Sequence, residues 1–277
     1  MAQPFFSIVI PTFNSERFLR SCLASLSGQS EQDFEVIIVD KNSCDETLAI
    51  FDSFCFKRCK KIQQKSSSLP EALDEGFAIS QGLFLCWLNS DDLYCRPNSL
   101  SLIRQALQGV RPDDAFCYSN HICIDVDGLV VSLNASHWQT SKSERAIGGL
   151  NLCTGALFFS RSLYLAFGGF GSRYGLAFEY PLIDFLMMHG RSIYVPSYIH
   201  AYRLHGAQLS NLNSGLMARE VAVVDSSCAR ASVWNRLLWA AKRLLSNFLY
   251  SNFVSRFRWR GKHVSVFWRA PSIGFFG

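Results

Sequence analysis

Three short polar segments each follow an apolar run of the sequence and hold the side chains best suited to bind a charged ligand. They are Pro11-Thr12-Phe13-Asn14, Asp40-Lys41-Asn42-Ser43 and Asn89-Ser90-Asp91-Asp92. In an open parallel sheet, ligands bind beyond the carboxyl ends of the strands, so these segments would meet at one edge. A single segment of this kind would be an ordinary strand-to-helix loop capped by Asn, Asp or Ser. Together the three favour a ligand site.

The third segment indicates which ligand this site would bind. The sequence has no GxxxxGK[ST] motif, and its nearest GxG, Gly169-Phe170-Gly171, follows a helical pattern instead of a strand. A glycine-rich phosphate loop is therefore not predicted. Asp91 and Asp92, next to Asn89, offer oxygen ligands for Mg²⁺ or Mn²⁺, and such a cation can bridge a diphosphate.

The elements that position these segments alternate between strands and helices. Apolar runs at 6–10, 35–40 and 83–88 predict buried strands, and helical spacing begins at Ser15 and again near Pro70. Ser43 and Glu46 stand three apart, which predicts a capping box for a further helix. Strands that are apolar on both faces imply a parallel sheet covered by helices on both sides. The first hundred residues thus predict an α/β nucleotide-binding half.

After Asp114 the pattern becomes mixed α and β. Short strands are predicted at 115–118, 122–126 and 129–133, with Asp127-Gly128 as a hairpin turn. Helical patterns near 162–167 and 179–188 flank a break at Gly168-Gly169, and strands follow near 192–195 and 199–203.

Taken in order, these motifs resemble family-2 inverting glycosyltransferases with the GT-A fold. The resemblance covers roughly residues 5–212. The segments that carry it are 6–14, 35–40 with Ser43 and Asp45, 87–94, 154–161, 168–170, Glu179, and 202–205 with Ser210. It implies an α/β, GT-A-type fold with a Rossmann-like nucleotide-binding half, a mixed central sheet, an acceptor half and a C-terminal helical tail.

The resemblance also implies a role for each matching residue. The base and ribose pocket of a nucleotide-sugar donor would be lined by Pro11, Thr12, Asn14 and Asp40. Asp91 would bind Mn²⁺ or Mg²⁺, with Asn89 and Asp92 beside it in the donor site. His205 would contact the metal or the diphosphate, and Glu179 would be the catalytic base. A cation on the diphosphate and a carboxylate that takes the acceptor's proton are what such a transfer requires.

Several departures from the family pattern keep alternatives open. Lys41 and Asn42 replace an acidic residue and a glycine, Asn89 replaces an aspartate, and Phe178 stands where an acid is common. These departures motivate a catalytically silent nucleotide-sugar-binding or scaffold protein, and a nucleotidyltransferase is a third candidate. Asp184 competes with Glu179 as the base, although a solvated helix position is its simpler interpretation. For His205 the simpler interpretation is a structural histidine.

Composition and charge divide the 277-residue chain into two regions. It is 49% hydrophobic and 18% charged, which suits a protein with a large core. Residues 215–277 carry ten Lys and Arg against two acids, whereas 1–214 carry seventeen against twenty. We therefore expect a GT-A-type domain over 1–214 and a basic amphipathic helical extension over 215–277.

The extension would suit either an anionic membrane surface or packing on protein. Nucleic acid is not expected as a partner, because the domain itself is slightly acidic. Ten scattered cysteines and the absence of an export signal favour a cytoplasmic placement, with attachment to the inner membrane face as an option. The expected acceptor is then a glycan or a lipid-linked glycan, in the synthesis of a cell-surface polysaccharide.

Overall fold

The computed structural model describes residues 3–136, 152–226 and 260–265. In these ranges the chain forms nine strands: β1 Phe6–Thr12, β2 Phe34–Asp40, β3 Cys59–Gln63, β4 Phe84–Trp87, β5 Leu93–Tyr94, β6 Ala115–Ile124, β7 Val130–Asn134, β8 Leu157–Ser160 and β9 Arg191–Arg203. The same ranges contain eight α-helices: α1 Glu16–Ser27, α2 Thr47–Asp52, α3 Leu69–Ala78, α4 Ser99–Leu107, α5 Arg161–Phe167, α6 Glu179–His189, α7 Leu209–Leu212 and α8 Ser214–Ser226. None of the helices in the described part has the length and apolar character needed to cross a membrane.

All nine strands belong to one mixed sheet. Its order is β3-β2-β1-β4-β8-β6-β9-β5, with β7 added to β6. The strands β3, β2, β1 and β4 run parallel, and β8 pairs antiparallel with both β4 and β6. The parallel pairing brings Thr12 opposite Asp40, so the polar ends of β1 and β2 lie side by side. A Rossmann-like half with a mixed central sheet is therefore present as predicted.

Both faces of the sheet are covered by helices, as the apolar strands predict. On β1, Ile8 and Ile10 join the core beneath α1 and α4, while Val9 joins the core beneath α3 and α6. Each buried Ile, Leu or Phe side chain contributes roughly 1.5–3 kcal/mol relative to its exposed state. Helix α3 comes very close to the sheet at Gly76, where a Cβ atom would stand 2.5 Å from a methyl group of Val9.

Local details differ from the sequence prediction in several places. The two strands expected between 115 and 126 are one strand, β6, and those expected between 192 and 203 are one strand, β9. The hairpin turn before β7 is present, with Gly128 at φ +81°. The capping box of Ser43 and Glu46 is wrong, because α2 begins at Thr47, whose N–H and hydroxyl donate to Asp45 instead.

The extension predicted over 215–277 lies mostly outside the described residues. The structure describes 215–226, which fall in α8, and 260–265, which pair with the β6–β7 hairpin through a bridge between His263 and Leu129.

Candidate functional site

Asp40 ties together the two loops that follow β1 and β2. Its carboxylate is buried and accepts hydrogen bonds from the Thr12 hydroxyl at 2.8 Å and from the Ser43 hydroxyl at 2.6 Å. The Ser43 N–H adds a third bond at 2.8 Å. Thr12 and Asp40, both predicted to bind the donor, are thus bonded to each other inside the protein. They fix the shape of the sheet edge on which a donor would lie.

Asn14 continues this network to the surface. Its backbone adopts φ +47°, a conformation that Asn tolerates better than most residues. The Asn14 N–H donates to the Ser43 hydroxyl at 2.9 Å, and its side-chain oxygen accepts from the Cys44 N–H at 3.0 Å. Pro11 precedes it in a half-buried position. The predicted pocket residues are therefore brought together on two linked loops.

Phe13 is a candidate that sequence reasoning missed. Its ring is 58% exposed, and the Lys41 ammonium group lies 5.8 Å from the ring centre. The Lys41 ammonium also donates to the backbone carbonyl of Ser67 at 2.7 Å. An exposed aromatic ring between the two loops is suited to stacking on a nucleotide base.

Asp92 lies in the loop at 89–92 and holds it in place through buried contacts. Its side chain is buried, and it accepts the Arg203 N–H at 2.9 Å and the Asn89 side-chain N–H at 3.3 Å. Nε2 of His200 lies 3.4 Å from the same carboxylate. Asn89, predicted to face the donor, therefore supports Asp92 from within the loop.

Asp91 and His205 meet at the end of this loop, although 114 positions separate them in the sequence. The His205 Nε2 atom lies 2.8 Å from Oδ2 of Asp91, and the imidazole packs on the Phe18 ring at 5.1 Å. Burial and the neighbouring charge of Asp92 raise the pKa of Asp91 above its usual range, while the bond to His205 opposes that rise. A positive charge at this position would relieve the repulsion between the two carboxylates.

Arg203 is the second residue that sequence reasoning missed, although it lies within the motif that identified His205. Its Nε donates to the Asp91 carbonyl at 2.8 Å, and its guanidinium lies over Phe18 at 4.7 Å. Further bonds reach the carbonyl groups of Asp125 and Val126, each at 3.2 Å. A charged residue at the end of a buried strand was the available signal, since such residues are rarely buried unless paired.

His200 had no predicted role, yet it is fully buried beside Asp92. Its Nδ1 lies 3.4 Å from the Cys153 sulfur. Burial acts to lower the pKa of His200, but Cys153 and Asp92 outweigh it and raise the pKa to about 10. A protonated His200 therefore neutralises part of the charge on Asp92. The fit is close, because a Cβ atom at Gly155 would stand 2.2 Å from the imidazole.

Glu179 opens helix α6 on the opposite face of the sheet. Its carboxyl group is half-buried and has no hydrogen-bond partner in the part of the chain that the structure describes, and burial raises its pKa to about 7. The preceding Phe178 packs on Phe170 at 4.9 Å and on Trp87, the last residue of β4, at 6.2 Å. Phe178, which replaces an acidic residue, thus anchors Glu179 near the strand end that leads into Asn89.

Asp184, the competing candidate base, lies on the same helix. It is buried, so its interpretation as a solvated helix position is wrong. It lies one turn after Tyr180, which is also buried on this helix.

The fit to a divalent cation depends on Asp91 and His205. Within the described ranges, no group of three or more His, Cys, Asp and Glu side chains could hold a metal ion. Mg²⁺ is commonly bound through one or two carboxylates together with substrate phosphates, instead of a complete protein cage. The adjacent Asp91 and His205 donors therefore fit a cation that a diphosphate helps to hold.

Comparisons with known proteins agree with this arrangement. A family model described as Glycosyl transferase family 2 matches residues 7–163, more than half of the chain. A PGL/p-HBAD biosynthesis glycosyltransferase of Mycobacterium bovis is 28% identical over 177 residues, which cover 63% of this chain and 66% of that protein. Chondroitin synthase of Escherichia coli is 26% identical over 211 residues, covering 75% of this chain and 30% of the synthase. The chain thus spans just under two thirds of the first relative.

Solved structures share the fold at low sequence identity. S. aureus TarS in complex with UDP-GlcNAc has a TM-score of 0.63 and 17% identity, covering 89% of this chain and 74% of that chain. The mannosyltransferase PcManGT from Pyrobaculum calidifontis, in complex with GDP-Man and Mn²⁺, has a TM-score of 0.52 and 15% identity, covering 94% and 85%. The predicted GT-A-type fold and the resemblance to family 2 are confirmed. The helical tail of that prediction lies largely outside the described residues.

Proposed function

Because this chain belongs to glycosyl transferase family 2, we propose that it transfers a sugar from a nucleotide-diphosphate sugar to an acceptor hydroxyl, with inversion, in glycan synthesis. The observation that carries the proposal is the 2.8 Å contact between Asp91 and His205 at the carboxyl end of the parallel strands. TarS and PcManGT have been solved with UDP-GlcNAc and GDP-Man, which supports a nucleotide sugar as the donor.

In the proposed mechanism, the loops joined by Asp40 hold the nucleoside, with Phe13 stacked on the base. Asp91 and His205 would hold Mn²⁺ or Mg²⁺, which would supply positive charge to stabilise the diphosphate leaving group. Below pH 7 Glu179 is mostly protonated and cannot accept a proton. Above pH 7 its carboxylate can take the proton of the acceptor hydroxyl. Attack from the face opposite the leaving group inverts the configuration at the anomeric carbon.

Donor hydrolysis and transfer, assayed with and without Mn²⁺ over a panel of UDP- and GDP-sugars, test this proposal. We expect turnover with one donor, and its loss when EDTA removes the cation. Binding of a nucleotide sugar without any turnover would instead support the silent binding protein. Incorporation of a nucleotide, with release of pyrophosphate, would support a nucleotidyltransferase.

The departures that motivate a silent protein have structural roles in the described part of the chain. Asn89 supports Asp92, Lys41 bonds to the Ser67 carbonyl, and Phe178 packs on Trp87. None of these contacts involves Asp91, His205 or Glu179. We therefore place the enzyme first and the silent protein second.

We further propose that the acceptor is a glycan or lipid-linked glycan and that the basic extension over 215–277 attaches the enzyme to an anionic membrane surface. The similarity to a PGL/p-HBAD biosynthesis glycosyltransferase and to a chondroitin synthase supports an acceptor in glycan synthesis. Flotation with liposomes that contain or lack anionic lipid tests the attachment. We expect binding to anionic liposomes that weakens in high salt, since a Debye length of about 8 Å screens exposed charges. Equal flotation with neutral liposomes, or none, would contradict it.

A further inference from the structure

Three consecutive backbone N–H groups lie just before the proposed base and point at one carboxylate. Gly175, Leu176 and Ala177 each donate to the side chain of Glu220, and all three hydrogen bonds are 2.9 Å long. These residues end two positions before Glu179, where α6 begins. Successive N–H groups of this kind form an anion-binding concavity, which here is filled by the protein's own carboxylate.

Glu220 lies on the inner face of helix α8. On the same face, Val224 is buried against Ala177 and Tyr180, and Met217 and Val221 pack on this cluster. Burial acts to raise the pKa of Glu220, but the three N–H bonds outweigh it and hold the pKa below its usual value. The carboxylate therefore remains charged, and its bonds intact, across the pH range in which a glycosyl transfer would be measured.

The other end of the same segment is held in a similar way. Asp74 on α3 accepts the Phe170 and Gly171 N–H groups, both at 2.9 Å, and also the Tyr164 hydroxyl. Gly169 and Gly171 adopt φ values of +88° and +60°, which allow the turn around that carboxylate. The segment 170–177 is thus fixed by one carboxylate at each end. Asp74 comes from helix α3, and Glu220 comes from helix α8.

We propose that Glu220 is a positioning residue for the catalytic base, holding the start of helix α6 so that the Glu179 carboxyl group faces the acceptor. The inference rests on the proposed function of Glu179. It also assigns α8, the first part of the basic extension, a role in catalysis in addition to packing. The N–H groups of 175–177 carry the effect, because they form the segment that leads directly into α6.

The test compares Glu220→Ala and Glu220→Gln with Ala218→Ser, at an exposed uncharged neighbour on the same helix. Amide hydrogen exchange of the peptide that contains residues 170–180 reports whether the segment opens, independently of activity. We expect faster exchange and roughly tenfold lower kcat in Glu220→Ala, with KM for the donor within about twofold, because a displaced base costs rate more than binding. Glu220→Gln, which keeps one acceptor oxygen, should lie between Glu220→Ala and the wild type. Ala218→Ser should match the wild type.

A second readout separates positioning from mere stabilisation. Burial raises the pKa of Glu179, and no charged side chain within the described ranges contributes to that rise. Opening of the segment should admit water and move the acid limb of the kcat–pH profile to lower pH in both Glu220 variants. Val224→Ala, which removes packing but leaves the carboxylate, should keep the wild-type limb.

Different results would contradict the proposal for Glu220 and the proposal for Glu179. The positioning role of Glu220 would be overturned if exchange in Glu220→Ala were unchanged. It would also be overturned if exchange increased while the kcat and the acid limb of Glu220→Ala stayed equal to those of Ala218→Ser. Full turnover in Glu179→Gln would instead overturn the proposed base.

Discussion

Asp91 and Glu179 are both carboxylic acids whose pKa is raised, but their surroundings differ. Asp91 is repelled by Asp92, bonded to His205 and held by Arg203 through its own carbonyl. Glu179 is perturbed by burial alone, at the start of a helix on the other face of the sheet. An acid crowded by negative charge benefits from a cation, whereas an isolated acid with a pKa of about 7 suits proton transfer at neutral pH.

The largest effect should follow from Asp91→Asn. The amide removes the charge that would hold the cation, so we expect turnover to fall below detection and donor affinity to weaken. Isothermal calorimetry with a nucleotide diphosphate and Mn²⁺ measures the affinity directly. Asp52→Asn, at an exposed aspartate that pairs with Lys61, is the matched control and should change neither quantity. Unchanged calorimetric affinity and turnover in Asp91→Asn would remove Asp91 from the mechanism.

Glu179→Gln should have the next largest effect, and of a different kind. The amide keeps the shape of the side chain but cannot take a proton, so kcat should fall by roughly 10²–10⁴ while donor affinity persists. In the wild type, kcat should rise with pH through about 7, as Glu179 ionises. Steady-state kinetics across pH 5.5–8.5 measure both effects. If Asp184→Asn folds but is inactive, and Glu179→Gln is active, the base is Asp184.

Some parts of the site could be predicted from the sequence and others could not. Asp91, His205 and Glu179 occupy short motifs at strand ends and a helix start, and their predicted roles came from the family resemblance of those motifs. The inward hydrogen bonds from Asn89 to Asp92 and from Thr12 to Asp40 could not be predicted in this way. The direction in which a loop side chain points depends on how the neighbouring strands pair, and the sequence alone does not give that pairing.

The sheet was largely predictable in its first half and less so in its second. Strands β1, β2 and β4 are apolar on both faces and leave little ambiguity. By contrast, β3 has the sequence Cys59-Lys60-Lys61-Ile62-Gln63, whose side chains are half-buried or exposed at the sheet edge, so it lacks that signal. Arg203 and His200 were missed because their importance comes from contact with Asp91 and Asp92, more than a hundred positions away.

A smaller effect is expected from Arg203→Lys, which tests how firmly the loop at 89–92 must be held. Lysine keeps the charge, but one ammonium group cannot reach the carbonyls of Asp91, Asp125 and Val126 together. We expect kcat/KM to fall about tenfold, equivalent to roughly 1.4 kcal/mol, mainly through KM for the donor. Arg17→Lys is the matched control, since Arg17 lies over the same Phe18 ring at 4.8 Å. Equal kinetics for the two variants would mean that Arg203 contributes only its charge.

The last expected effect concerns stability instead of turnover, and here the isolation of Glu179 should be visible without any substrate. Its pKa is about 7 in the folded protein and about 4.3 in an unfolded chain. Below pH 4.3 the group is protonated in both states, and between pH 4.3 and 7 the unfolded chain alone releases the proton. The free energy of unfolding should therefore decrease as pH rises through this window, by at most about 3.7 kcal/mol. Glu179→Gln abolishes that loss, so the variant should be more stable than the wild type at pH 8 and nearly equal to it at pH 4.5.

Urea unfolding midpoints at both pH values measure this difference, with Glu46→Gln, at an exposed glutamate, as the control. Should the variant and the wild type differ equally at both pH values, Glu179 ionises normally in the folded state, and its distinction from Asp91 would disappear.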